Sequence, residues 1–484
     1  MKCNLNFFLI STLVLFSSCS ARLKTGEETI VSGEAFDKFW TGRQVNRYGD
    51  SLSLTDKESQ MTSLNKYLNF TVYAEILTQS GAEGKFSFHM HDEKDGSSGG
   101  YSVILNSSDY RSGNNQKSGS LAFIRNNFIK TTNDNEWFTL GVSVKANHIL
   151  VTVNDKLISE YIEPGLPDRI TGMEEMVLSK GLIAFEKTNE QGVLIIRNIK
   201  LTVLGKNIPV EKDTIFVNDS TGEMLTLLNQ QAFPVIDYHA HLKGGLTTEQ
   251  LSVNGRLNGI NYGVAPNCGL NFPVTNDSTL IAYYNEMKSA HVFNAMQCEG
   301  REWVKLFSPE PVADFDYIFT DAMTWTDHKG RRMRLWMPEE TVIEDEQQFM
   351  DMLTSKIVAI LSQEPVDIYV NPTFLPPPIA ENYDRLWTPE RMDKVIKALV
   401  DNDVALEINS RYKIPGLAFI KRAKAAGVKF TLGTNNAGKD DLGRLEYSLK
   451  IIREAGIETS DMFIPRPAGD KKISKMGLPS KVTG

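Results

Sequence analysis

The chain changes its pattern of apolar and polar positions near residue 233. Before this point, apolar and polar residues alternate at period two over short runs, which is typical of half-buried β-strands. Turn-forming residues separate these runs, for example over 95–99 and 111–115. The runs cover residues 67–76, 85–91, 100–105, 137–144 and 148–153. We therefore predict an all-β jelly roll or sandwich over residues 34–204.

From residue 233 onward, strand-like runs alternate with helical ones. The strand-like runs cover residues 235–242, 262–267, 291–299, 315–323, 366–373, 404–409 and 429–434. Seven such βα units predict a parallel sheet, and this number of strands favours closure into a barrel. The whole pattern predicts a multidomain chain. The sandwich is followed by a linker over 205–232, an α/β barrel over 233–465 and a C-terminal tail over 466–484.

Several barrel helices have visible starts and ends. Thr247 with Gln250 forms a capping box. The stretch 388–390 supplies a cap, a proline in the first turn and an acid at the positive helix end. We expect a further helix from Asp441 to about residue 455, closed by Gly456.

Composition and charge exclude one class of partner. The chain has 484 residues and a formal net charge of -8. It contains no basic run or stripe, so we expect no nucleic-acid partner.

The first nineteen residues have a different character from the rest. A charged start and an apolar run precede Ser17-Ser18-Cys19, which is typical of a secretory signal too short to span a membrane. A cysteine after small residues resembles the lipobox of bacterial lipoproteins, which implies a lipid on Cys19 after removal of the signal peptide (1–19). Residues 20–33 then form a tether to the membrane, and Ser20 favours the outer membrane of the cell envelope. The alternative is ordinary cleavage with a chance cysteine.

Two cysteines remain in the folded part of the chain, Cys268 and Cys298. An oxidising envelope permits a disulfide between them. Their spacing does not establish one, and we expect buried free thiols.

Polar residues follow every predicted barrel strand, where barrel active sites are built. Amide and arginine side chains among them are candidate substrate ligands. They are Asn267, Arg301, Asn371, Asn409 and Asn435. Acidic side chains from three strands are candidate acids or bases: Glu299, Asp321 and Glu407.

His239 and His241 stand two residues apart on the first barrel strand, so both rings are expected on one side. This spacing lets one strand supply two nitrogen ligands to a divalent metal such as Zn, Mn, Co or Fe. Glu299, Asp321 and Glu407 are candidate carboxylate ligands from neighbouring strands. The alternative is a hydrogen-bonded histidine pair in a sugar pocket without metal.

Motifs in the second half resemble the PHP family (polymerase and histidinol phosphatase). They are the histidine pair, Glu299, Leu406-Glu407-Ile408-Asn409, and the stretch 419–428 before strand seven. The resemblance covers about residues 233–460. It implies a distorted seven-stranded (β/α) barrel with two or three metal ions that hydrolyses phosphoesters.

This sequence departs from the PHP pattern at several ligand positions. Residues 434–437 read Thr-Asn-Asn-Ala where the family has Ser-Asp-Ala-His, and Asn371 and Asp321 stand where histidines are expected. Neutral amides at these positions weaken the case for several metal ions. A single-metal site or a repurposed pocket fits the departures better.

Motifs in the first half resemble the 3-keto-disaccharide hydrolase domain, over about residues 34–204. They lie at residues 100–105, 119–121, 136–138, 153–155, 181–185 and 196–199. The resemblance implies a concanavalin- or laminin-G-like fold that cleaves 3-keto sugars by hydrolysis or elimination, or that only binds glycans. His89 and His91 are a second His-x-His pair, expected on one strand face, where they could contact a sugar or a metal. The alternative is solvated or cross-strand-paired histidines.

Three functions follow from these features. The first is a cell-envelope hydrolase or lyase of 3-keto glycosides, with a metal-assisted barrel site and a glycan or small sugar as substrate. The second is a metal-dependent hydrolase of a phosphoester or an amide, with the sandwich as a targeting module. The third is a non-catalytic glycan-binding lipoprotein, against which the retained strand-end acids and histidines argue.

Overall fold

The computed structural model describes residues 24–91, 99–109, 115–211 and 220–480. It confirms the predicted fold class, because an antiparallel sandwich is followed by a closed parallel barrel. The predicted signal peptide and Cys19 lie outside the described residues.

The sandwich is built from strands in which buried and partly exposed positions alternate, as in Phe70–Thr78. The strands are β1 (Glu28–Ile30), β2 (Trp40–Arg43), β3 (Val45–Tyr48), β4 (Ser51–Leu54), β5 (Gln60–Ser63), β6 (Phe70–Thr78), β7 (Glu83–Met90), β8 (Tyr101–Asn106), β9 (Trp137–Lys145), β10 (His148–Val153), β11 (Lys156–Ile162), β12 (Leu182–Lys187) and β13 (Leu194–Val203). One sheet has the order β11-β10-β9-β6-β13-β4-β3, with β1 beside β13, and the other has the order β2-β5-β12-β7-β8. Helix α1 (Phe36–Phe39) precedes β2. The apolar faces of the two sheets pack together into one core.

The alternation breaks at the end of β7, where His89 has a left-handed backbone with φ of 57°. Leu182 pairs with Met90 and Ile183 pairs with Phe88, so His89 is the extra residue of a β-bulge. His91 lies beyond the end of the strand. The bulge interrupts the period-two pattern on which the prediction for His89 and His91 was based, although both rings contact Ser179.

The barrel contains all seven predicted strands. They lie within a set that also includes short extra strands: β14 (Ile236–Ala240), β15 (Asn261–Val264), β16 (Asn267–Gly269), β17 (Phe293–Glu299), β18 (Tyr317–Thr320), β19 (Thr324–Thr326), β20 (Arg332–Arg334), β21 (Ile368–Tyr369), β22 (Ala405–Asn409) and β23 (Phe430–Gly433). Parallel pairing runs β14-β15-β17-β18-β21-β22-β23 and returns to β14, which closes the barrel. β16 adds to β17, and β19 and β20 form a separate hairpin.

Helices connect the barrel strands. They are α2 (Ser220–Gln230), α3 (Thr248–Asn258), α4 (Asp277–Met287), α5 (Trp303–Leu306), α6 (Pro309–Ala313), α7 (Glu346–Gln363), α8 (Tyr383–Leu386), α9 (Pro389–Asp401), α10 (Leu417–Ala425), α11 (Glu446–Ala455) and α12 (Lys472–Met476). Short 3-10 helices lie at Gly33–Ala35, Pro338–Glu340, Pro377–Asn382, Thr459–Asp461 and Ala468–Asp470. The capping box of Thr247 and Gln250 opens α3, and Thr388 caps α9, as predicted.

The helix expected from Asp441 begins five residues later, at Glu446. The Asp441 carboxylate instead accepts hydrogen bonds from the backbone N–H groups of Ala437 and Gly438. Gly443 then takes a left-handed φ of 71°. These contacts hold the stretch in a turn, so the sequence prediction of the helix start is wrong. Gly456 closes the helix as predicted.

The two domains are packed directly against each other. Phe128 and Ile129, from the segment after β8, lie in the inner apolar cluster of the barrel. The Phe128 backbone N–H donates to the Asn261 side chain at 3.0 Å, and Asn261 Nδ2 donates to Asn126 O at 2.8 Å. Since Asn261 is the first residue of β15, the sandwich covers the amino end of the barrel and leaves the carboxyl end for chemistry.

The segment over 205–232 contains more than a linker. Helix α2 packs Leu225 and Leu228 into the outer barrel core. Asn126 Nδ2 of the sandwich donates to Asn229 O at 2.7 Å. Within the part of the chain that the structure describes, no helix is long and apolar enough to cross a membrane.

Candidate active site at the carboxyl end of the barrel

Two barrel strands change from apolar to polar along their inner faces. In β17, Phe293 and Ala295 belong to the inner apolar cluster, and Gln297 and Glu299 follow at the same period. Tyr317 and Phe319 precede Asp321 in the same way on β18. Side chains two residues apart on a strand lie on the same face. The acidic side chains therefore lie on the inner face at one end of the barrel.

A histidine–carboxylate pair forms the floor of this site. His239 Nδ1 lies 2.7 Å from Glu407 Oε1, and both side chains are fully buried. His239 Nε2 lies 3.3 Å from Gln297 Oε1. The Glu407 carboxylate and Gln297 Oε1 can only accept, so both ring nitrogens of His239 face acceptor oxygens.

Amide side chains hold the Glu407 carboxylate from the other side. Asn371 N and Asn409 Nδ2 donate to Glu407 Oε2 at 2.6 and 3.0 Å. Asn409 Nδ2 and Asn435 Nδ2 both lie 3.0 Å from Asn371 Oδ1. The structure therefore brings together Glu407, Asn371, Asn409 and Asn435. Their contacts are mainly with one another and are those of a rigid scaffold beneath the mouth.

Glu299 and Asp321 form a buried acid pair at the mouth. Burial raises the pKa of Glu299 to about 8, and the negative charge of Asp321 adds to the rise. Burial also raises the pKa of Asp321. Asn267 Nδ2 donates to Glu299 Oε1 at 2.6 Å, and Asn371 Nδ2 donates to Asp321 Oδ2 at 3.1 Å. Like charges this close cannot both ionise cheaply, so the pair retains a proton near neutral pH.

His241 has a different environment from His239. Its Nδ1 lies 2.8 Å from Ala265 O, which accepts the ring proton. Its Nε2 is buried and has no hydrogen-bond partner among the described residues. Burial lowers the pKa of His241 well below its usual value, and the neighbouring His239 and Lys243 act in the same direction. His241 is therefore a neutral ring with one buried lone pair.

The Arg301 guanidinium makes hydrogen bonds within the barrel scaffold. Its Nη1 donates to both oxygens of Glu364 at 2.8 and 3.0 Å. Its Nη2 donates to Thr320 Oγ1 and Asp321 O at 2.7 and 3.0 Å. A guanidinium committed to these partners orders the Asp321 backbone. This arrangement favours a positioning role over the predicted substrate contact.

The predicted metal ligands do not converge on one point. Across the described ranges, no group of three or more His, Cys, Asp or Glu side chains could hold a metal ion. His239 Nδ1 is hydrogen-bonded to Glu407, and Glu299 accepts a hydrogen bond from Asn267. Only His241 Nε2 has the fixed tautomer and free lone pair typical of a metal ligand. One such nitrogen does not make a metal site.

Sequence reasoning missed several residues of this site. Gln297 bonds both His239 and Asn267, and its position two residues before Glu299 could have indicated it. Lys243 places a positive charge near Glu299, and Arg411 Nη1 donates to Asn435 O at 2.8 Å. Lys243 and Arg411 lie in loops beyond the strand ends, where no periodicity marks them.

The histidines of the sandwich lie apart from the barrel site. His89 is fully buried, its Nε2 donates to Leu68 O at 3.0 Å, and its Nδ1 accepts from Ser179 N at 3.2 Å. Burial lowers the pKa of His89 to about 4. His91 Nε2 contacts Ser179 Oγ at 3.0 Å. Both nitrogens of His89 are committed to the backbone, which favours a structural role over sugar or metal binding.

The smaller sheet of the sandwich carries a second polar cluster that the sequence did not reveal. Glu186 on β12 accepts from Ser87 Oγ at 2.6 Å and lies 3.3 Å from Lys85 Nζ. Ser87 also contacts Ser102 Oγ at 3.0 Å. The cluster spans three adjacent strands, so this face is a second place where polar groups converge.

Fold and site together define a two-domain protein, a β-sandwich joined to a (β/α) barrel with an acid pair and a histidine–carboxylate pair at its mouth. Residues 26–202 match the family of 3-keto-alpha-glucoside-1,2-lyase-like domains. No curated protein matches the chain.

Solved structures resemble each half separately. A predicted glycosyl hydrolase from Parabacteroides distasonis has 13% identity and a TM-score of 0.33, over 37% of this chain and 94% of its own. The carbohydrate-binding module CBM66 from Bacillus subtilis has 15% identity and a TM-score of 0.23, over 37% and 96%. Histidinol phosphate phosphatase from Lactococcus lactis, solved with zinc, L-histidinol and phosphate, has 15% identity and a TM-score of 0.33, over 46% and 95%.

Proposed function

We propose that this protein is a carbohydrate-active enzyme that cleaves the glycosidic bond of 3-keto glycosides at the mouth of the barrel. The observation that carries the proposal is the match of residues 26–202 to 3-keto-alpha-glucoside-1,2-lyase-like domains, which supplies the substrate class. The acid pair of Glu299 and Asp321 supports the reaction type, because it offers a protonated and an ionised carboxyl group side by side.

The proposed reaction is an elimination across C1 and C2. A ketone at C3 acidifies the C2 hydrogen, and the ionised member of the acid pair removes that proton. The electrons of the C2–H bond form an enolate with the C3 carbonyl. The enolate returns to the ketone as the C1–O bond breaks, and the protonated member gives its proton to the departing oxygen. The products are an alcohol and an unsaturated 3-keto sugar, to which water adds in a hydrolytic cycle.

The surrounding residues suit this chemistry. Lys243 supplies positive charge near Glu299, and Arg411 adds positive charge beside Lys243; such charge stabilises the negative charge that develops on an enolate oxygen. Asn267 and Asn371 orient the two carboxyl groups through direct hydrogen bonds. The His239–Glu407 pair lies beneath them and fixes the scaffold.

The test compares the two polar clusters of the molecule on one substrate. Glu299→Gln and Asp321→Asn remove the barrel acids, and Glu186→Gln is the matched change in the sandwich cluster. We expect the barrel variants to lose about 10²- to 10⁴-fold in kcat/KM on a 3-keto glucoside, the range of general acid–base catalysis, and Glu186→Gln to keep wild-type turnover. The reverse pattern would assign the chemistry to the sandwich. Absence of cleavage by the wild type would reject the proposal.

We further propose that a lipid on Cys19 anchors the enzyme to the cell envelope, with the outer membrane as the favoured location. The support is the arrangement of charge, apolar run and small residues before Cys19. Labelled palmitate should enter the wild-type protein and should not enter Cys19→Ala. Equal labelling of both proteins would refute the anchor.

A further inference from the structure

We infer that a small inorganic anion binds in a basic cavity between the two domains. The cavity has a volume of about 30 Å³ and lies between the segment after β8, strand β11 and helix α3. It is lined on the sandwich side by Arg125 and Ser159, and on the barrel side by Arg256 and His291. It is separate from the barrel mouth, because it adjoins Asn261 at the amino end of β15.

The charges around this cavity are mainly positive. Arg125 is buried, with 7% of its surface exposed, and its guanidinium carbon lies 5.2 Å from the centre of the Tyr161 ring. Arg256 lies opposite on α3. Lys156 and Arg256 both act on His291, whose pKa is lowered to about 3 by burial and by these two charges. Two cations thus act on His291, and the Arg125 side chain lines the same cavity.

The neighbouring carboxylates do not satisfy every N–H group of Arg256. Arg256 Nε is buried and has no hydrogen-bond partner in the described part of the chain. Glu160 Oε2 lies 3.8 Å from it, beyond hydrogen-bond distance, and Glu160 Oε1 lies 3.0 Å from His148 Nε2. Glu249 lies 3.7 Å from Arg256 Nη2 and is mostly exposed. A buried N–H of a charged group without a partner is costly, so a bound acceptor would stabilise the native state.

The size of the cavity decides the class of ligand. A volume near 30 Å³ holds about two water molecules, far less than the several hundred Å³ of a pocket for a sugar. The positive surroundings favour an anion over neutral water. A monatomic or compact inorganic anion such as chloride fits both conditions. Because it would touch residues of both domains, its binding would hold the sandwich and the barrel together.

The test is thermal unfolding of the purified full chain at constant ionic strength. Chloride or phosphate replaces gluconate, which is too bulky for the cavity. We expect a saturable rise in Tm of about 5 °C at a hundredfold excess over Kd. Saturation with chloride, or with phosphate alone, identifies the anion. A rise that grows linearly with concentration is general salt stabilisation and counts against the site.

Variants separate the site from general effects. Arg256→Gln should abolish the saturable rise, and Arg453→Gln, an exposed arginine on α11, should retain it. Equal responses of both variants would overturn the inference. If Arg256→Gln does not fold, crystals of the wild type soaked in bromide decide the matter. An anomalous peak beside Arg256 supports the site, and an empty cavity refutes it.

Discussion

At the scale of single residues, the state of Glu299 decides what the barrel mouth can do. An exposed glutamate is ionised at neutral pH and cannot act as an acid. Glu299 is buried beside Asp321, and both effects raise its pKa, to about 8. Burial and a neighbouring like charge thus convert an ordinary side chain into a proton donor.

The raised pKa of Glu299 predicts how stability depends on pH. Between its unfolded pKa, near 4.5, and its folded pKa, about 8, the native state holds a proton that the unfolded state releases. Stability therefore falls as pH rises through this window and levels off above it. Glu299→Gln removes the titration, so its Tm should change less with pH over the window. Equal slopes of Tm against pH for both proteins would contradict the assigned pKa.

A second residue-scale prediction concerns metal content. Since the candidate ligands do not converge and His239 is bonded to Glu407, we expect elemental analysis to find well below one equivalent of metal. His241→Ala should leave the value unchanged. About one equivalent in the wild type that is lost in His241→Ala would instead establish a metal centre on His241 Nε2.

At the scale of elements, the barrel strands do more than support the fold. Strands β17 and β18 begin with apolar inner side chains and lead into acidic ones, so their length determines how deep Glu299 and Asp321 lie. The last strand, β23, contributes no functional side chain; its glycine, Gly433, leaves room for the side chains of Glu407 and His239. Gly433 lies where any side chain would meet Glu407 Oε1 and come within 3.0 Å of His239 Cβ.

Gly433→Ala should therefore damage the site through β23. The added methyl group must displace the Glu407 carboxylate or the His239 ring, and such overpacking costs about 1–3 kcal/mol. We expect lower stability in denaturant unfolding together with loss of activity. Gly469→Ala, where nothing lies within 4 Å, is the control and should change neither. A fully active and stable Gly433→Ala would show that the floor of the site is not fixed as described.

At the scale of the whole molecule, the sandwich contributes residues to the inner core of the barrel. Phe128 and Ile129 of the sandwich fill the amino end of the barrel beside Phe463, and their backbone is held by Asn261. The sandwich thus completes the barrel core. A barrel without it would expose Tyr317 and other inner side chains to water.

Phe128→Ala tests this coupling. Phe128 is 3% exposed, and truncation of a buried phenylalanine costs about 3–5 kcal/mol. We expect the barrel to lose stability although the change lies in the other domain, measured as earlier unfolding of barrel tryptophan signals. Leu166→Ala, at a site 95% exposed in the sandwich, is the control and should have little effect. Unfolding confined to the sandwich would refute this coupling.

The sequence by itself determined the order and type of the elements. Period-two runs located the sandwich strands, and seven strand-like runs after residue 233 gave the barrel. Local alternation and caps encode these features within a few residues. Strand ends also predicted which polar residues gather at the mouth, because the carboxyl ends of parallel strands meet at one edge. Features that depend only on the local sequence pattern could therefore be predicted from the chain alone.

Only the tertiary structure decided what those residues do. The bulge at His89 interrupted a predicted strand pattern, and the hydrogen bonds of Arg301 to Glu364 tied a predicted substrate ligand to the scaffold. Lys243 and Arg411 lie near the mouth in loops, where no periodic sequence pattern predicts their position. The reason is physical: protonation, hydrogen-bond commitment and convergence depend on partners distant in sequence. Residue spacing indicates on which face of a strand or helix a side chain lies. Tertiary packing determines which groups that side chain contacts.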